Sequence, residues 1–112
     1  MKKIEAIIRP EKLEPVRTAL AEIGVFGMTV SEVSGRGRQM GIALQWRVGE
    51  YRVEFLPKVK IEAVVLDEDV GETLNVIVRK ARTGDRGDGK IFVLPVDNAV
   101  RIRTGDEGES AI

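Results

Sequence analysis

Val53-Glu54-Phe55-Leu56-Pro57-Lys58-Val59-Lys60-Ile61-Glu62-Ala63-Val64-Val65 is the stretch from which the fold is read. Val53, Phe55, Val59, Ile61, Ala63 and Val65 fall on odd positions, while Arg52, Glu54, Lys58, Lys60 and Glu62 fall on even ones. A period of two belongs to an extended chain, so a long strand with one apolar face is predicted. Pro57 has no N–H to offer a ladder, and a bend, a bulge or an edge position is expected there.

On the C-terminal side, Asp67, Glu68 and Asp69 place negative charge at a helix start. Val70, Leu74, Ile77, Val78 and Ala81 follow at helical spacing, and Arg79, Lys80 and Arg82 occupy the last turn, which predicts a helix that Gly84 ends. A glycine-rich turn, a buried strand over Ile91 to Val96, a short strand over Val100 to Arg103 and a polar tail complete this half. On the N-terminal side, Ile4, Ala6 and Ile8 alternate in a strand over Lys3 to Arg9, which Pro10 ends. Leu13, Val16, Leu20 and Ile23 form one helical face, Gly24 supplies a left-handed cap, and Met28 to Val33 suits a strand.

The order strand, helix, strand, strand, helix, strand is the split βαβ, or ferredoxin-like, plan of an α+β fold. Two helices cover one face of such a sheet. The other face mixes charges with Leu56, Val64 and Leu66, a blend suited to an interface, and a homo-oligomer is expected. A chain of 112 residues reads as a single domain, 1–112. Eighteen basic and eighteen acidic residues cancel, so the broad electropositive face that attracts nucleic acid is not indicated. With neither Cys nor His, disulfides, thiolate zinc sites and imidazole catalysis are excluded, and a metal would be a hard cation such as Mg²⁺ sharing phosphate or acid oxygens. Glu5 and Arg9 interrupt the first apolar run, and no stretch reaches membrane-spanning length, so a cytoplasmic protein without membrane insertion is expected.

Ser34 to Lys58 is a long excursion between two strands, and it carries the chain's only Trp and only Tyr. Loops beyond about 12 to 15 residues are uncommon in compact domains unless functional or disordered, and aromatic residues argue against disorder. The alternative is a plain extended hairpin with an apolar face. Ile42, Leu44, Trp46 and Val48 share one parity, so an extended backbone would give one hydrophobic ridge, suited to a partner surface or to packing on the protein itself.

Gly84 to Lys90 satisfies the first part of a Walker A pattern, but position 91 is Ile and the turn runs from helix to strand, the reverse of a P-loop. Glycines can still aim backbone N–H groups at one anion while Lys90 adds charge. Arg101 and Arg103 alternate with Val100 and Ile102, which would place two guanidinium forks on one side of a terminal strand. Together with the Gly35 to Gln39 turn, these groups sit at strand ends that a small sheet could gather into one cleft.

Gly27-Met28-Thr29-Val30, Gly37-Arg38-Gln39, Glu50-Tyr51, Phe55-Leu56-Pro57-Lys58, Ala81-Arg82-Thr83-Gly84, Gly87-Asp88-Gly89-Lys90-Ile91-Phe92-Val93 and Val100-Arg101-Ile102-Arg103-Thr104-Gly105 resemble the PII nitrogen-signalling proteins across essentially the whole chain. The resemblance implies a homotrimer that binds ATP or ADP between subunits and regulates a target enzyme, transporter or regulator through a loop at about 36–54. It assigns phosphates to Gly87, Asp88, Gly89, Lys90, Arg101 and Arg103, the base side to Thr29, Glu62 and Val64, and closure of the site to Gly35, Gly37 and Arg38. It further implies 2-oxoglutarate bound beside ATP through Mg²⁺, with Gln39 at the metal and Lys58 pairing the acid. Tyr51 resembles the residue that a uridylyltransferase modifies in some members. Gly49 replaces a phosphorylated Ser of some relatives, Met40 replaces a frequent Lys, and the apolar apex departs from the usual polar one.

A non-enzymatic sensor is therefore expected. Its rivals are an enzyme that hydrolyses nucleotide or transfers phosphoryl groups, a PII paralogue with slow ATPase activity, one whose apolar apex selects a target outside nitrogen metabolism, and a scaffold with no nucleotide affinity. The missing His, the broken Walker A pattern and the lack of an obvious activated nucleophile count against an enzyme.

Overall fold

The computed structural model describes residues 1–36 and 55–112; residues 37–54 lie outside the described part. Strand β1 (Lys2–Ile8) leads through a 3₁₀ turn at Pro10–Lys12 into helix α1 (Leu13–Glu22). Strands β2 (Thr29–Gly35) and β3 (Leu56–Val65) follow, then a 3₁₀ turn at Asp67–Asp69, helix α2 (Val70–Ala81) and strand β4 (Gly89–Pro95). The sheet order is β2-β3-β1-β4, and every neighbouring pair is antiparallel. This is the predicted α+β plan of a four-stranded sheet with two helices.

The register explains why the alternation in β3 was informative. Ile61 lies opposite Ala6, and Ala63 opposite Ile4, so the odd positions of β3 join the even positions of β1 on the helix side. There Ile4, Ile8, Leu20, Ile61 and Ile77 are almost completely buried. Burying one such aliphatic side chain contributes about 1.5–3 kcal/mol, which is why the two-residue period is held so strictly. Pro57 stands second in β3, opposite Ser34, close to the strand end where a missing donor costs least.

Besides β4 and Phe55, which are largely exposed where the sequence reading put a buried strand and an apolar face, four details depart from that reading. The acidic run Asp67–Asp69 forms its own 3₁₀ turn ahead of α2. Within α2 the buried stripe is Thr73, Val76, Ile77 and Ala81, while Val78 is exposed; Thr73 is tolerated inside because its hydroxyl donates to the Asp69 carbonyl at 2.8 Å. The helix stops at Ala81 with Arg82 already extended, so Gly84, at φ 95°, belongs to the following turn and is not the cap. Gly24, at φ 88°, does take the left-handed conformation expected after α1.

The fourth departure matters more. No terminal strand forms over Val100 to Arg103: Val100 makes a single antiparallel bridge to Glu107, and the chain reverses between them. The reversal is closed by Gly105 N–H donating to the Arg101 carbonyl at 2.7 Å and Arg101 N–H donating to Asp106 at 2.9 Å. Ile102 is 99% exposed at its tip, so the apolar and basic alternation there has no core behind it.

The face opposite the helices is polar at its centre. Glu5 sits between Glu62 and Phe92, and Lys3 Nζ reaches Glu62 at 2.5 Å and Glu5 at 3.8 Å. Phe92 and Leu94 are exposed at the β4 edge of this face.

Candidate functional site

One end of the sheet gathers the end of β1, the end of β2, the start of β3 and the start of β4. Gly89 pairs with Ile8, Val59 pairs with Ile8, and Gly35 pairs with Leu56. Arg36 and Phe55, which flank 37–54, therefore stand at this end. A cleft of about 670 Å³ opens here, lined by Gly35, Arg36, Lys58, Asp85, Gly87 to Lys90, and the apolar Ile7 and Phe92.

The turn between α2 and β4 has a demanding backbone. Gly84, Gly87 and Gly89 all have positive φ, at 95°, 99° and 105°. At Gly89 a Cβ would lie 1.8 Å from the Ile7 carbonyl oxygen, so glycine is required for both conformation and space. Asp88 ties the turn together. Its Oδ1 accepts from Arg9 Nε at 3.0 Å and from the Thr83 hydroxyl at 2.5 Å, and its Oδ2 accepts from the N–H groups of Thr83 and Gly84, each at 2.9 Å. Arg9 Nη2 also donates to the Arg86 carbonyl at 2.7 Å. Burial alone would raise the Asp88 pKa; the hydrogen bonds from Thr83, Gly84 and Arg9 outweigh it and hold the carboxyl well below the usual carboxylate range.

Lys58 falls on the open-face side of β3 by parity, yet only 8% of it is exposed. Its Nζ donates to the Gly87 carbonyl at 2.5 Å, and a Cβ at Gly35 would come within 3.1 Å of its stem. Burial pushes the Lys58 pKa down, and the nearby Arg9 charge pushes it further; Glu11 and Asp88 oppose this. A cation that is desolvated and held among other cations gains strongly from an anionic ligand.

The structure thus brings Gly35, Lys58, Gly87, Asp88, Gly89 and Lys90 into one cleft. It does not bring Thr29, Glu62 and Val64 there. Thr29 pairs with Glu62 four residues along β3 from Lys58, about 13 Å at strand rise, and Glu62 is engaged by Lys3. The hydrogen bond from Lys3 holds the Glu62 pKa below its ordinary value, and burial opposes this only in part. Arg101 and Arg103 do not line the cleft either: Arg101 faces Asp106 at 3.6 Å, and Arg103 is exposed on the C-terminal reversal. Gly37, Arg38, Gln39, Tyr51 and the ridge of Ile42, Leu44, Trp46 and Val48 lie outside the described residues. Sequence reasoning missed Arg9, Arg36, Ile7 and Phe92 as parts of the site. Arg9 left no local signal, because its carboxylate partner is 79 residues away.

Chemically, the cleft offers lysines and an arginine, glycine-rich backbone and an apolar wall from Ile7 and Phe92. That combination suits an anion joined to a flat or apolar body. Among the described residues no group of three or more acidic side chains converges to hold a metal ion. No described helix is long and apolar enough to cross a membrane.

Comparison with known proteins bears on this arrangement. The family model described as "Nitrogen regulatory protein P-II" matches residues 1–106. The chain is 59% identical over 112 residues to "Nitrogen regulatory protein P-II 2" of Methanothermobacter thermautotrophicus, covering 100% of this chain and 97% of that one. It is 58% identical to "Nitrogen regulatory protein P-II" of Klebsiella oxytoca and to "Nitrogen regulatory protein P-II 1" of Escherichia coli K12, with 100% of each chain covered. The matched residues span both the sheet and the glycine turn, and the chain belongs to the P-II family of nitrogen regulatory proteins.

Proposed function

We propose that the protein is a non-enzymatic transducer of nitrogen, carbon and energy status that binds ATP or ADP and 2-oxoglutarate and signals through residues 36–54. The observation that carries this reading is the convergence of Gly35, Lys58 and the Gly87 to Lys90 turn in one cleft, beside the two ends of that segment. Phosphates take the turn and Lys90, and the acid takes Lys58, whose hydrogen-bond partner among the described residues is the Gly87 carbonyl. Mg²⁺ would draw its oxygens from the two ligands and, as the resemblance implies, from Gln39.

The cleft holds only part of the assigned set, and this supports a composite site. Arg101, Arg103, Thr29, Glu62 and Val64 would reach a phosphate or base if a second copy supplied some of them, which fits the homotrimer that the P-II resemblance implies. The exposed Phe92 and Leu94 of the open face fit such burial. Targets, whether an enzyme, a transporter or a regulator, engage the apolar ridge, and a uridylyltransferase acting on Tyr51 is the corresponding modifying partner. The relatives bear regulatory names, not enzyme names.

Calorimetry with ATP, ADP and 2-oxoglutarate tests the reading. Acid and ATP should tighten each other reciprocally, since they share Mg²⁺. Lys58→Ala should abolish acid binding and leave ADP binding nearly intact; unchanged acid affinity would sink the assignment. Steady-state turnover near the median enzyme rate of about 10 per second would favour the rival ATPase reading. Trp46→Ala should damage target capture while sparing nucleotide affinity, whereas a loss of thermal stability instead would mean that the ridge packs on the protein itself.

A further inference from the structure

An anion site with a carboxylate in the middle of its binding turn poses a problem. Asp88 sits between Gly87 and Gly89, where an unpaired negative charge would repel a phosphate. The geometry resolves it, because two donors fill Oδ1 and two fill Oδ2. Each donor is also anchored elsewhere. Thr83 and Gly84 lie at the start of the turn, and Arg9 lies just beyond β1 and holds the turn's middle through the Arg86 carbonyl. The same carboxylate thus joins the entry of the turn, its centre and the end of the central strand.

We propose that Asp88 is the positioning residue of the anion turn: its charge-compensated carboxylate fixes the backbone of 83–89 through Thr83, Gly84 and Arg9, and does not itself touch the ligand. This rests on the nucleotide reading above. Three glycines at positive φ are held in conformations that an unconstrained turn of this length would leave readily. The carboxylate supplies the constraint and stays ionised, its charge compensated by Arg9 and by the hydrogen bonds it accepts. Arg9 is then the outer support: it orients Asp88 by one nitrogen and Arg86 by another, and its charge offsets that of the carboxylate next to an incoming anion.

The substitution Asp88→Asn separates this role from simple electrostatics by the sign of its effect. If Asp88 acted only as a nearby negative charge, removing it would tighten ADP and ATP binding. If it positions the turn, the amide fails. It has one accepting oxygen, and its NH₂ must face either the two N–H groups or the Arg9 and Thr83 donors. Losing charge-assisted bonds of this kind should weaken ADP binding about tenfold or more. Thr83→Ser keeps the hydroxyl donor and should bind ADP as the wild type does, whereas Thr83→Val should be weakened in the same direction as Asp88→Asn. Thr83→Val and Thr83→Ser also carry the test if Asp88→Asn does not fold.

Calorimetry with Mg-ADP on the full chain gives the affinities, and amide hydrogen exchange of the ligand-free protein gives the turn directly. Faster exchange at the Thr83 and Gly84 amides in Asp88→Asn, together with weaker ADP binding, supports the proposal. Unchanged exchange, or unchanged or tighter ADP binding by a folded Asp88→Asn, overturns it. A wild-type chain that does not bind ADP would instead overturn the nucleotide reading, while the exchange comparison would still decide whether Asp88 shapes the turn.

Discussion

The turn at 83–90 and the reversal at 98–108 use the same materials to different ends. Each is punctuated by glycines at positive φ and braced by an acidic side chain, and each presents basic residues assigned to phosphates. The first is bound into the sheet, with Arg9 and Lys58 reaching it across 79 and 29 residues. The second is bound to itself. Among the described residues its hydrogen bonds run from Asn98 to Glu107, from Gly108 to Ala99 and Asn98, from Arg101 to Asp106, from Gly105 to Arg101 and from Asp106 to Thr104. Two loops of similar composition can thus differ in whether their geometry is completed inside the chain, and only the first forms part of the cleft.

Gly89→Ala tests that contrast hardest. Its Cβ would meet the Ile7 carbonyl at 1.8 Å in a backbone conformation that side chains avoid, so a loss of about 3 kcal/mol or more is expected by thermal or urea unfolding, with ADP binding lost. Next comes Arg103→Ala, which should weaken ATP and ADP by a similar factor, about tenfold, without lowering the melting temperature, because Arg103 is exposed. Loss of ATP binding alone would contradict a shared phosphate role. Gly105→Ala should cost only about 1 kcal/mol, since its φ is 76° but nothing lies within 4 Å of the added Cβ. Equal destabilisation by the two glycine substitutions would erase the distinction between the loops.

The smallest effect is a pH dependence. The folded Asp88 carboxyl titrates below its ordinary value of 3.8, so its stabilising contribution is complete above that value and is lost as pH falls through the lowered one. The difference in melting temperature between wild type and Asp88→Asn should therefore be constant near neutrality and shrink below about pH 4.

What the sequence revealed depended on how far apart the relevant residues were. The alternation of β3 and the acidic-to-basic gradient along α2 are local patterns, and both elements form within the expected stretches, over Leu56–Val65 and Val70–Ala81, with Phe55 exposed just outside the strand. Val100 to Arg103 also alternates, but a strand is legible from alternation only when one face is buried, and Ile102 has no core to face. The glycine turn could be read as a candidate anion site because its chemistry is contiguous, and the fold places it in the cleft. The bracing of that turn was not, because Arg9 looks like a strand-end charge until the fold places it beside Asp88. The placement of Thr29, Glu62 and Val64 away from the turn likewise follows from the strand order β2-β3-β1-β4, which no single segment encodes.

The central position of β1 governs the order in which the protein can mature during synthesis. Its two sheet neighbours are β3 and β4, both encoded far downstream, and Arg9 waits for Asp88. Contacts of such sequence separation carry a loop-closure cost before they give any return, and they form late. A nascent chain stalled before residue 88 can fold α1 locally, but it lacks the carboxylate that shapes the turn and the strand that carries Lys90. On the nucleotide reading proposed above, competence would arrive only with the last quarter of translation, and a truncated product would not compete with finished molecules for the ligand.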